Sequence, residues 1–208
     1  MKTRLTVTSH AILGLLSIAP MSGYDLFQAV DRSVSRFWPI SKSQVYAELA
    51  RLEPAGLIEG TDVPQERLPD KRVFCLTEAG EQALDAWLGN GEIEDLQFRI
   101  PFLLKTLFGH RGPPEDTARL LQLVGDEAAD EARRYSDYTE LLGSAPEAAY
   151  ARVTVLFGLR LAEAIAAWAE EAQALLPERA CRIDPRRPEQ KTAPALFRAL
   201  PARQRGRG

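Results

Sequence analysis

The sequence predicts a mainly α-helical protein in two parts: a small N-terminal module of helices around one β-hairpin, then a run of longer helices. Three observations carry this. Apolar residues recur at helical spacing through most of the 208 residues. Only two short stretches, "GLIEG" at 56–60 and "RVFCLT" at 72–77, read as strands, and the turn-rich "TDVPQERLPDK" joins them. Serine, proline and glycine punctuate the helical pattern at intervals that suit short helices first and long ones later.

The elements follow in order. Residues 8–19 form a first helix, with Ile12, Leu15, Leu16 and Ala19 on one face. A turn at Pro20 and a cap at Ser22 open a second, with Leu26 and Val30 inward. Pro39 disfavours helix at Trp38, which reads as a core plug between this loop and the next helix. Ser41 caps the third helix, where Val45, Leu49 and Leu52 fall at i, i+4 and i+7 as a narrow buried stripe. Pro54 ends it and Gly56 allows the turn out. After the hairpin, Thr77 opens a fourth helix whose Glu78 and Glu81 suit the positive end of its dipole. Helix, helix, capped helix, hairpin, helix is the order of a winged helix-turn-helix.

Beyond it, residues 101–110 read as a short helix, a long one starts at "GPPED", and another spans 146–176. The last carries apolar residues over more than the single stripe needed for one neighbour, which points to a coiled-coil-like partner chain. Domain boundaries are expected at 1–90, 91–177 and 178–208, the last a basic segment rich in Pro, Arg and Gly and read as disordered.

The overall net charge of −3 conceals a segregation. Residues 1–76 sum to +1, residues 77–178 to −11 and residues 179–208 to +7. The acidic middle would repel a polyanion, so a nucleic-acid contact must come from the first third or the tail. Two cysteines, Cys75 and Cys181, make no disulfide framework and place the chain in the reducing cytoplasm. Cys75, a lone thiol in a strand, reads as inert filler before redox switch. The apolar run 11–19 behind Lys2 and Arg4 imitates a signal peptide, but His10 and Ser17 interrupt it, and no stretch is uncharged over transmembrane length. His10 and His110 have no ligand cluster, so neither metal nor cofactor is expected. The absence of a Ser/His/Asp grouping, a phosphate-cradling loop or a paired carboxylate in a cleft argues against an enzyme.

The third helix is unusual in what surrounds its stripe. Lys42, Ser43, Gln44, Tyr46 and Arg51, with the short Ala47 and Ala50, can approach a surface closely and offer hydrogen bonds to base edges and phosphates in a major groove. A solvated helix face would look similar; the flanking hairpin tips the balance. Ser41 at its cap and Tyr24 at the start of the second helix join the candidate contacts, as do Arg67, Lys71 and Arg72 on the hairpin rim. Phe102, Leu103, Val153, Phe157, Leu161, Ile165 and Trp168 are the candidate dimerisation residues.

The stretches "AILGLLSIAPMSGYDLFQAV", "FWPISKSQVYAELARLEPAGLIE" and "RVFCLTEAGEQALDAWL" together resemble the PadR family of bacterial transcriptional regulators. "FRIPFLLKTLFG" and "TVLFGLRLAEAIAAWAEEA" resemble the helical C-terminal domain of its longer subfamily. The resemblance runs in order from residue 8 to 176 and implies a homodimeric repressor or activator on double-stranded DNA, with C-terminal helices exchanged between subunits; repression is the expected sign, and a dimer of winged modules is expected to read a palindromic operator. A small aromatic effector near Trp87 and Trp168 is the further expectation it raises. Pro54 departs from the family pattern, so a shorter third helix is expected, and the basic tail lies outside it. A winged helix that binds only other proteins is the competing reading.

Overall fold

The computed structural model describes residues 4–64, 71–91 and 99–178. It divides into two compact units, Met1–Asp95 and Leu96–Gly208.

In the first unit, helices α1 (Val7–Leu16), α2 (Gly23–Arg32) and α3 (Lys42–Leu52) precede strands β2 (Ile58–Val63) and β3 (Lys71–Leu76) and helix α4 (Glu78–Leu88). A two-residue strand β1 (Met21–Ser22) pairs antiparallel with β3, so the sheet order is β1-β3-β2. The sequence reading had a turn there, because two residues carry no alternation and Met21 finds its partner Phe74 only in the folded chain.

Each helix of this unit starts on a side-chain cap. Thr6, Ser22, Ser41 and Thr77 accept from the backbone three residues on. In α1, α2 and α3 the third helical residue reaches back to close a capping box. Helix α1 stops at Leu16, short of the expected Ala19, and the Ser17 hydroxyl donates to Gly14 O at 2.7 Å. The core unites Ile12, Leu13 and Leu16 of α1 with Leu26 and Val30 of α2 and with Val45, Leu49 and Leu52 of α3. Ile58, Phe74 and Leu84 seal it from the sheet and α4. Truncating any one of the fully buried side chains, such as Leu52, would cost about 2–5 kcal/mol.

Trp38 is not the core plug expected from sequence. It is 39 % exposed, and its indole N–H donates to Thr8 Oγ1 at 3.2 Å; Ile40 fills the interior at this point instead. The indole keeps its polar edge only near a hydrogen-bond partner, and the surface supplies one.

The second unit contains α5 (Pro101–Leu107), a 3₁₀ turn at Gly109–Arg111, α6 (Pro114–Leu142) and α7 (Ala149–Gln173). Helices α6 and α7 form an antiparallel pair. Gly125 faces Ala169 and Gly158 faces Tyr135, and Gly143, at φ +58°, turns the chain between them. Thr117, Leu121 and Ala128 of α6 and Ala162 and Ala169 of α7 are buried. Much of the apolar complement of α7 is not: Val153 is 69 % and Phe157 56 % exposed.

Candidate nucleic-acid interface

Helix α3 buries Val45, Leu49 and Leu52 and turns Lys42, Ser43, Gln44, Tyr46, Ala47 and Ala50 to solvent. Its first turn is tightly organised. Ser41 N donates to Gln44 Oε1 at 2.8 Å, Gln44 N donates back to Ser41 Oγ at 3.3 Å, and the Ser41 and Ser43 hydroxyls lie 3.0 Å apart. The amide oxygen of Gln44 therefore serves the cap, leaving its NH₂ group to face outward.

Tyr24, exposed at the start of α2, lies beside this turn, with Lys42 Nζ 5.9 Å from its ring centroid. A cation over an aromatic face is steadied without losing its charge. Tyr46 packs its ring against Gly23 and remains 45 % exposed. The starts of α2 and α3 thus present Tyr24, Lys42, Ser43, Gln44 and Tyr46 as one polar surface.

Arg51 is placed elsewhere. Its guanidinium donates to Arg4 O at 3.1 Å, to Ser9 Oγ and to Glu48 Oε2 at 2.6 Å, clamping the end of α3 onto the start of α1. The helical wheel put Arg51 on an open side; the buried Ser9 hydroxyl drew it in. Both described cations of the hairpin rim also have carboxylate partners. Lys71 Nζ lies 2.9 Å from Asp25, and Arg72 reaches Glu53 at 2.6 Å and Asp62 at 2.9 Å. These three acids were not singled out from sequence. The only signal for them was charge opposite charge once the strands are paired, as with Asp62 across from Arg72.

The hydrogen bond from Lys71, followed by that from Ser22, holds the Asp25 carboxyl below its ordinary range. Burial first, then the neighbouring Glu59, pushes the Cys75 thiol up, which disfavours the reactive thiolate. Arg67 and the 178–208 tail beyond Glu178 lie outside the described residues.

In the second unit Leu103, Val153, Phe157 and Leu161 are exposed, while Phe102, Ile165 and Trp168 are partly buried. The rings of Phe102 and Trp168 meet at 5.6 Å with a 34° tilt. Trp87, in the first unit, stacks on His10 at 4.7 Å and nearly parallel. Among the described residues no helix is long and apolar enough to cross a membrane, and no group of His, Cys, Asp and Glu could hold a metal ion.

Comparison with known proteins gives this geometry a setting. Residues 12–86 match the Transcriptional regulator PadR-like family, and residues 98–177 match the family described as Virulence activator alpha C-term. The negative transcriptional regulator PadR of Bacillus subtilis is 33 % identical over 104 residues, which is 50 % of this chain and 57 % of that protein. The chain spans about half the length of the curated relatives it matches. Among solved structures, Bacillus subtilis PadR in complex with operator DNA is similar with a TM-score of 0.76 at 24 % identity, over 84 % of this chain and 100 % of that one. The same protein in complex with p-coumaric acid gives a TM-score of 0.66 at 23 % identity, over 84 % and 98 %. These likenesses are of fold: a winged helix-turn-helix followed by a helical region.

Proposed function

The chain belongs to the PadR-like family of transcriptional regulators, and from that we propose that it is a sequence-specific DNA-binding repressor, acting as a homodimer on a palindromic operator. The observation that carries this reading is α3 itself. It spends Val45, Leu49 and Leu52 on the core, and it offers Ser43, Gln44 and Tyr46 outward behind two alanines that let it approach a groove. Those side chains meet base edges, while Ser41, Lys42 and Tyr24 meet phosphates at the groove wall. Arg67, Lys71 and Arg72 extend the contact along the backbone or into the minor groove. Arg51 is left out of this set, because its guanidinium joins α3 to α1.

Dimerisation is supported by the apolar side chains of α7 that one chain leaves in water, among them Val153, Phe157 and Leu161. A two-fold pair of winged modules reads two half-sites about one helical turn, roughly 34 Å, apart. Repression is the sign carried by the name of the Bacillus subtilis relative. A small aromatic acid is the proposed effector, supported by the p-coumaric acid bound to the structural neighbour.

Selection of binding sites from a random DNA pool tests the reading. An enriched inverted repeat is expected, and Lys42→Glu should abolish its binding. Recovery of no motif, with Lys42→Glu indistinguishable from the parent, would overturn DNA recognition in favour of a module that binds proteins.

A further inference from the structure

Arg72 stands on β3 directly across from Asp62 on β2. One terminal nitrogen of its guanidinium lies 2.9 Å from Asp62 Oδ1 and the other 2.6 Å from Glu53 Oε1. Glu53 is the residue that closes α3, and the same Oε1 accepts the Gly60 N–H at 3.0 Å. One carboxylate thus joins the end of the third helix, the β2 backbone and the cation of the hairpin. The fit depends on Gly60: a β-carbon there would lie 2.5 Å from Arg72 Nε and 2.7 Å from Glu53 Oε1. This is a shaped arrangement, unlike a chance pairing of long side chains at a surface.

The shape has an electrostatic consequence. A phosphate is gripped best through the paired N–H groups of the guanidinium fork, and here carboxylates hold both terminal nitrogens. Two carboxylates around one guanidinium leave the loop end of the paired strands with a net negative charge. A duplex approaching it meets repulsion until a phosphate displaces the acids. We propose that Glu53 and Asp62 form an autoinhibitory clamp on Arg72 that competes with phosphate and so restrains sequence-independent binding to DNA. The proposal rests on the DNA-binding reading above, and it gives the two acids a role that packing alone does not require. Arg72 is half-exposed and Asp62 more so, so solvent already screens the pairs and exchange with phosphate is accessible. Lys71, the adjacent cation, is held by Asp25 in the same manner.

The test uses the full chain and a fluorescent duplex of random sequence, with affinity measured by anisotropy over a range of salt concentrations. Glu53→Gln retains an oxygen for the Gly60 N–H and Asp62→Asn retains its shape, so each removes charge while keeping the fold; thermal melts check this. The double substitution should raise affinity about three- to tenfold at low salt and steepen the salt slope by about 0.9, the value of one more phosphate neutralised. In an Arg72→Ala background the same pair should give a much smaller gain, since only long-range repulsion is then relieved and no guanidinium is released to a phosphate, and Glu81→Gln, an exposed acid on α4, should leave the slope unchanged. Unaltered binding in the double variant, or a gain undiminished by Arg72→Ala, would overturn the clamp while leaving DNA binding in place. Failure of the parent and every variant to bind any duplex would instead remove the DNA-binding reading, and the clamp with it.

Discussion

The ring of Tyr46 lies on Gly23: a β-carbon at that glycine would sit 2.7 Å from Tyr46 Cε1 and 3.3 Å from a Leu49 methyl. Gly23 is the first residue of α2 and Tyr46 stands one turn into α3, so this contact sets how closely the two helices of the turn motif approach. Gly23→Ala adds a methyl where the ring is, at a cost of about 1–3 kcal/mol unless the half-exposed ring swings out. Either response moves Tyr46. A melting curve together with operator binding should show affinity falling more than stability does. Equal, small losses in both would mean that the ring position does not matter to recognition.

The capping role of Gln44 separates two effects that an alanine would merge. Ser41→Ala removes the hydroxyl that accepts Gln44 N and should cost about 0.5–2 kcal/mol of stability. Gln44→Glu keeps an oxygen for Ser41 N and suits the helix dipole, but it replaces an outward NH₂ donor with a charge that repels DNA. The expected outcome is an unchanged denaturation midpoint with loss of operator binding. A variant that still binds would place base readout elsewhere on α3.

Asp25 predicts a pH dependence whose direction follows from its shift. Its ordinary value is 3.8, and in the folded chain the Lys71 hydrogen bond, then that of Ser22, lowers it against the opposing effect of burial. A carboxyl with a depressed folded value contributes stability fully above its unfolded value, and that contribution is lost as pH falls through the folded one. Asp25→Asn retains a cap for Ser22 and removes the charge. It should lower stability at neutral pH by at most about 1 kcal/mol, since the pair is nearly half-exposed. The two melting curves should converge only as pH falls from 3.8 through the lower folded value, where the native carboxyl takes up a proton. A difference that persists there would point to lost packing.

Gly158 lets α6 and α7 close on one another, because a β-carbon at that position would run into the Tyr135 ring. Gly158→Ala should therefore destabilise the helical pair by about 1–3 kcal/mol despite the better helix propensity of alanine. In a Tyr135→Ala background the same substitution should be much less costly, the signature of a shared contact. Chemical denaturation of the four proteins of this cycle measures the coupling. Additive losses would assign the glycine to the backbone alone.

Local signals along the chain determined much of this protein. Ser22, Ser41 and Thr77 start their helices as hydroxyl caps, and Val45, Leu49 and Leu52 form the buried stripe of α3, because capping and helical periodicity act within a few residues. The winged order and the family were legible for the same reason. Strand β1 was not, since Met21 acquires its role from Phe74, more than fifty residues away. Trp38 and Arg51 were misplaced by patterns that report facing but not partners: Thr8 holds the indole at the surface, and Ser9 with Glu48 draws the guanidinium out of solvent. The hairpin cations looked free in the sequence. Only strand register and the end of α3 bring Asp62 and Glu53 onto Arg72, because Coulombic pairing depends on separations of a few ångströms that no linear spacing encodes.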